Sequence, residues 1–180
     1  MQDDLEKVLI DASRIRTRVR ELAQQITRDY ENIDSGITIV PIMTGAMIFT
    51  SDLIREMPIK MKINLMTVSS YPGKSLRTQG ASLLSQQLGD VQGRHVLLVD
   101  DILDSGGTLQ LVAPLLNQLG AESVRTCVLL RKDRPAARSV RADYVGFDIP
   151  DEFVIGYGLD YDNIYRNLPD ICTLKPSVYL

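Results

Sequence analysis

One segment constrains the fold more than any other: Val96-Leu97-Leu98-Val99-Asp100-Asp101-Ile102-Leu103-Asp104-Ser105-Gly106-Gly107-Thr108-Leu109. Its opening apolar run, His95 to Val99, has no polar face, so it predicts a strand covered on both sides. Carboxylates emerge at the strand end, and two glycines then turn the chain. Val112, Leu115, Leu116 and Leu119 follow at helical spacing, and Gly120 ends the helix. A buried strand, a tight turn and a helix make the unit of a parallel α/β sheet. The rest of the chain repeats this alternation. Ile15, Val19, Leu22, Ile26 and Tyr30 predict an amphipathic helix capped by Asp11 or Ser13. Ile37 to Ile42 reads as a buried strand; Gly45 follows it, then a helix through Ile48, Leu53 and Ile54 that Pro58 stops. Further strands are expected over 62–68, Ser123–Leu130, Tyr144–Phe147 and Phe153–Ile155, and near Ile171–Leu174. The predicted class is α/β with a mostly parallel central sheet flanked by helices, and such sheets bind ligands beyond the carboxyl ends of their strands.

Composition removes several kinds of function. At 180 residues, 44% apolar and 24% charged, the chain is sized for one domain with a full core. Twenty basic against 23 acidic residues leave a net charge of −3, which lacks the basic footprint of a nucleic-acid binder. No apolar run approaches the ~18 residues of a membrane span. The start, Met1-Gln2-Asp3-Asp4, is acidic where a secretory leader is basic. Cys127 and Cys172 lie in apolar contexts and read as core residues of a reducing, cytoplasmic compartment rather than a disulfide. With one histidine and two scattered cysteines, a thiolate or imidazole zinc site is excluded. Any metal must take oxygen ligands, as Mg²⁺ does.

The turn after Val99 has its own chemistry. Gly106 and Gly107 let backbone approach a ligand closely. Free amides at the helix start favour an anion, and Ser105 and Thr108 add hydroxyl donors. The loop is neither a Walker A sequence nor a dinucleotide fingerprint, because it has no Gly-Lys-Ser/Thr and no Gly-x-Gly-x-x-Gly. Asp100 and Asp101 would repel a phosphate beside them but suit a sugar diol, directly or through Mg²⁺. Diol next to phosphate describes a ribose 5-phosphate. The plainer alternative is an acidic loop that only caps a helix.

The stretch Asp100 to Leu109 closely resembles the phosphoribosyl-pyrophosphate signature of type I phosphoribosyltransferases. Val145 to Tyr161, continued by Tyr165-Arg166-Asn167-Leu168, resembles the purine-binding region of the hypoxanthine–guanine members. The likeness runs from about Ile10 to Leu174 in the family's order. It implies transfer of phosphoribose from phosphoribosyl pyrophosphate to hypoxanthine or guanine, with Mg²⁺. By resemblance, Asp100 and Asp101 hold the ribose hydroxyls, partly through metal. Asp104 faces the base as general base, and Asp104, Ser105, Gly106, Gly107 and Thr108 wrap the 5′-phosphate. Lys132 donates to the purine 6-oxo group, Phe153 stacks on the ring, and the backbone of Val154 reads its edge. Asp160 stands near the base and a second metal. Arg166 contacts pyrophosphate. Met43-Thr44-Gly45 binds pyrophosphate through backbone amides after a non-proline cis peptide, although Thr44 stands where the family often has a cation. Ser70 and Tyr71 begin a lid over about 69–85.

The resemblance further implies a single domain over 1–180. Its core spans about 30–145, and a small hood is built from about 1–15 and 150–180. It also implies a homodimer or homotetramer. Two rival readings accompany it: a xanthine-preferring relative, and a nucleotide-sensing regulator on the same fold. Read without the family, Lys132 in Leu-Arg-Lys-Asp-Arg is a solvated charge cluster, Phe153 and Val154 are core, and Arg166 is a surface side chain.

Overall fold

A computed structural model describes residues 1–69, 82–85 and 91–179. Its centre is a parallel sheet of β2 (Ile37–Met43), β6 (His95–Leu103), β7 (Ser123–Lys132) and β8 (Tyr144–Ile149), adjacent in that order. On the other side of β2 lie β3 (Met61–Ile63) and β4 (Met66–Ser69), both parallel to it, and β5 (Ser82–Ser85) closes the edge antiparallel to β4. The expected single strand over 62–68 is therefore two strands, interrupted at Asn64-Leu65.

The apolar runs are continuous because successive residues feed opposite layers. Ile37, Ile39, Leu97, Val99, Cys127 and Leu129 pack with Ile15, Val19, Leu22, Ala23 and Ile26 of α1 (Ala12–Tyr30). Val40, Ile42, Val96, Leu98 and Val128 pack with Leu109, Val112 and Leu116 of α3 (Gly107–Gln118) on the other face. Helices on both faces are what a parallel sheet requires. Of the two candidate caps for α1, Asp11 is the one used: its Oδ1 accepts from the amides of Ser13 at 2.9 Å and Arg14 at 3.0 Å. The second helix, α2 (Met47–Arg55), stops three residues before Pro58. Leu119 lies beyond the end of α3 and is exposed, so the apolar stripe is one residue shorter than its spacing predicts.

A second sheet joins the two ends of the chain. β1 (Leu5–Ile10), β10 (Ile171–Leu174) and β9 (Val154–Ile155) pair antiparallel in that order. Ile155, Tyr165, Leu168, Cys172 and Leu174 form its own cluster. Cys127 and Cys172 are both buried and unpaired. Short helices α4 (Pro135–Arg138) and α5 (Pro176–Tyr179) complete the described elements. Among the described residues no helix is long and apolar enough to cross a membrane.

Candidate active site

The carboxyl ends of β2, β6 and β7 carry the expected groups. β6 does not stop at Val99: it runs through Asp100 and Asp101 to Leu103, because its pairing with β7 continues to Leu103 opposite Arg131. Asp100 is consequently buried, and Asp101 half-buried beside it. The Oδ1 of Asp100 accepts from the Asp101 amide at 3.0 Å, and the Oδ1 of Asp101 from the Ile102 amide at 2.9 Å. Burial, and then the charge of Asp101, push the Asp100 carboxyl well above its usual range; burial also raises Asp101. Two acidic groups confined in this way fit a divalent cation that borrows its remaining oxygens from substrate, as Mg²⁺ does.

Asp104 to Gly106 form the turn, and α3 begins at Gly107. Gly106 has φ +83°, and a Cβ there would lie 2.3 Å from Cγ2 of Val140, so neither the backbone nor the space admits a side chain. The first amides of the 12-residue helix α3 leave the turn with an anion-favouring end.

Asp104 meets two cations from the neighbouring strand end. Nζ of Lys132 lies 3.3 Å from its Oδ2, and Nη1 of Arg134 donates to its Oδ1 at 2.5 Å. Asp151 closes the group, with Oδ1 at 3.4 Å from Lys132 and 3.7 Å from Arg134. Lys132 is 8% exposed, so it is no solvated charge: it is the buried centre of a four-residue cluster. Arg134 and Asp151 are site neighbours that the sequence reading missed. The charged run Arg131-Lys132-Asp133-Arg134 was the only hint of the first. Phe153 packs edge-on against Tyr161, with centroids 5.7 Å apart, and Val154 is buried in β9.

On the other side of the acidic pair, β2 ends in Met43 and the Met43–Thr44 peptide is cis. Thr44 is exposed. Gly45 lies so close to Asp101 that a Cβ would fall 2.0 Å from its Oδ2. Gly158 in turn covers Gly45: a Cβ on Gly158 would fall 2.2 Å from the Gly45 carbonyl oxygen. Arg166 braces this turn, donating from Nη1 to the Gly158 carbonyl at 2.7 Å, and pairs with Asp160 at 2.8 Å. Its positive charge acts on Asp101, opposing the upward shift there. Asp160 also accepts from the Asn163 amide at 2.8 Å. Asp160 thus stands with Arg166, and among the described residues no three acidic, histidine or cysteine side chains converge as a metal cage. Ser70 and Tyr71 lie outside the described residues.

The parallel sheet thus carries this turn near its centre, with the Gly45 loop on one side and Lys132 on the other. A sequence profile of the phosphoribosyl transferase domain matches residues 9–162. The hypoxanthine-guanine phosphoribosyltransferase of Mycobacterium tuberculosis is 41% identical, over 98% of this chain and 89% of its own. The crystal structure of a hypoxanthine phosphoribosyltransferase from Staphylococcus aureus superposes with a TM-score of 0.89 at 39% identity, covering 100% of this chain and 97% of that one. A mutant of the Trypanosoma cruzi enzyme, complexed with the product IMP, gives a TM-score of 0.85 at 36% identity over 97% of this chain and 93% of its own. The chain belongs to the hypoxanthine–guanine phosphoribosyltransferase family.

Proposed function

We propose that the protein is a purine-salvage transferase that moves the 5-phosphoribosyl group of phosphoribosyl pyrophosphate onto hypoxanthine and guanine, releasing pyrophosphate. The observation that carries this reading is the meeting of Asp104 and Lys132 at the mouth of the phosphate turn, 3.3 Å apart. In the reaction the bond from the anomeric carbon to pyrophosphate breaks, the bond to a purine nitrogen forms, and the purine gives up one proton.

Each group has a task in that exchange. The amides of Gly106 and Gly107, with Ser105 and Thr108, hold the 5′-phosphate. Asp100 and Asp101 accept from the ribose hydroxyls. Asp104 takes the purine proton and stabilises the cation-like sugar. Its Oδ2 is freed for this when the base enters and Lys132 turns its ammonium to the 6-oxo oxygen, while Oδ1 stays on Arg134. An adenine amino group would set donor against donor there, which selects oxopurines. Phe153 and the Val154 backbone position the ring. Gly45, the Thr44 backbone and Arg166 receive the pyrophosphate. Mg²⁺ would be held by Asp100 and Asp101 together with substrate oxygens, with Asp160 available to a second ion; when bound it neutralises charge on the departing pyrophosphate. Ser70 and Tyr71 are proposed to start the lid that excludes water. The two buried free thiols support a cytoplasmic location, and we propose a homodimer or homotetramer as the working form.

The test is a spectrophotometric assay of purified protein with Mg²⁺, phosphoribosyl pyrophosphate and each of hypoxanthine, guanine, xanthine and adenine. Turnover of hypoxanthine and guanine well above xanthine and adenine is expected. Preference for xanthine would assign the rival specificity, and no product with any base would leave a nucleotide-sensing regulator.

A further inference from the structure

Among the described residues, Gly156-Tyr157-Gly158 is the run of three successive residues with left-handed backbone. Its three φ values are +93°, +51° and +106° in succession. Glycine tolerates that region, but the central residue is a tyrosine, for which it is uncommon. Backbone bonds hold the turn from behind: the Tyr157 amide donates to Leu168 at 2.8 Å and the Gly158 amide to Arg166 at 2.9 Å. These bonds explain the shape without explaining the side chain.

The Tyr157 side chain does not stay with its own sheet. It is 7% exposed, and its hydroxyl crosses to α2, donating to Oδ2 of Asp52 at 2.6 Å. Burial and that carboxylate raise the phenol pKa, so it remains a donor at any physiological pH. α2 is the helix that leaves the Met43–Gly45 loop, starting at Met47. The turn therefore grips one structural unit at two points: Tyr157 at the helix, and Gly158 on the Gly45 carbonyl at the loop. Gly45 is itself pressed on Asp101. Glycine on glycine on carboxylate forms a stack with no side chain to absorb slack, so the position of Gly45 is set from above by the turn.

We infer that Tyr157 and Asp52 are a positioning pair that fixes the Thr44-Gly45 loop for the pyrophosphate end of the donor substrate. This rests on the proposed function for what the loop binds. Tyr157 does not touch the reacting atoms: it acts through Gly158 and α2. A loop that presents backbone amides rather than a charged side chain depends on such bracing, because a backbone donor cannot reach after a misplaced ligand as a lysine can.

The experiment compares wild type, Tyr157→Phe, Asp52→Asn, Asp52→Ala and the Tyr157→Phe/Asp52→Ala double variant. Calorimetry with Mg²⁺ gives the Kd for phosphoribosyl pyrophosphate, and steady-state assays give the KM for hypoxanthine. Tyr157→Phe should weaken donor binding roughly three- to tenfold, as expected for loss of one placed hydrogen bond. Its KM for hypoxanthine should move less than about twofold. Asp52→Asn, which keeps an acceptor for the phenol, should stay near wild type. The double variant should be no weaker than either Tyr157→Phe or Asp52→Ala alone. Donor Kd unchanged in Tyr157→Phe overturns the inference. Equal weakening of donor and purine, with a lowered Tm, also overturns it, because that is ordinary packing loss. Failure of the wild type to form nucleotide would instead defeat the proposed activity, while the calorimetric comparison would still test the pair.

Discussion

Gly45→Ala isolates one contact at the centre of the site. Gly45 is not in the left-handed region, so its backbone accepts alanine. The cost comes from space: the new methyl would sit 2.0 Å from Oδ2 and 2.6 Å from Cγ of Asp101, where real contacts do not fall below 3.0 Å. The carboxylate must retreat by about 1 Å, and it is tethered by the Ile102 amide at 2.9 Å. Overpacking of this kind costs about 1–3 kcal/mol, which lowers Tm by roughly 2–12 °C in a domain of this size. The larger effect is on catalysis, because a displacement of about 1 Å in a reacting constellation costs about 100-fold. Turnover at saturating Mg²⁺ and both substrates should therefore fall about 100-fold. Ile26→Val serves as the stability control: it removes one methyl from a fully buried site on α1, costs about 0.5–1.5 kcal/mol, and should leave turnover intact. Gly45→Ala turning over within about threefold of wild type would refute the reasoning, since Asp101 would then not need the place it has.

Asp104→Asn keeps an acceptor oxygen for only one of Lys132 and Arg134 and loses the proposed base, so turnover should drop about 100-fold with donor Kd nearly unchanged; near-normal turnover would take Asp104 out of that role. Lys132→Ala should lower kcat/KM for hypoxanthine by about 10- to 100-fold, the worth of a charge-assisted bond, and spare donor Kd; equal losses would count against a lysine that reads the base. Asp100→Asn tests the confined acid pair. Because the raised Asp100 pKa keeps a proton on the folded state that the unfolded chain releases near pH 4, the contribution of Asp100 to the stability of the metal-free protein falls as pH rises above about 4. The asparagine cannot titrate, so its Tm should exceed wild type at pH 8 and the gap should close toward pH 4. A gap that widens in acid would contradict this.

Where periodicity and burial agree, the chain could be read directly. Ile15 to Tyr30, Ile37 to Ile42 and the strand–turn–helix around Gly106 each satisfy local and global demands at once. β1 escaped because Leu5 to Ile10 is exposed at its centre, over Glu6 to Val8, and owes its form to Ile171–Leu174, at the far end of the chain. The length of β6 was underestimated because carboxylates normally mark a strand end, whereas here the ladder to β7 carries Asp100 into the interior. The residues of the site could be proposed by resemblance, but their pairings could not. Arg134 to Asp104 spans 30 positions and Tyr157 to Asp52 spans 105, and no local pattern encodes contacts made only by the register of neighbouring strands and by a left-handed turn.

The most direct measurement is a crystal structure with IMP bound. The phosphate is expected within hydrogen-bond distance of the Gly106, Gly107 and Thr108 amides, with the purine ring against Phe153 and its 6-oxo oxygen on Lys132. A nucleotide bound away from the turn between β6 and α3, or bound there with its base turned from Asp104, would contradict the assignment.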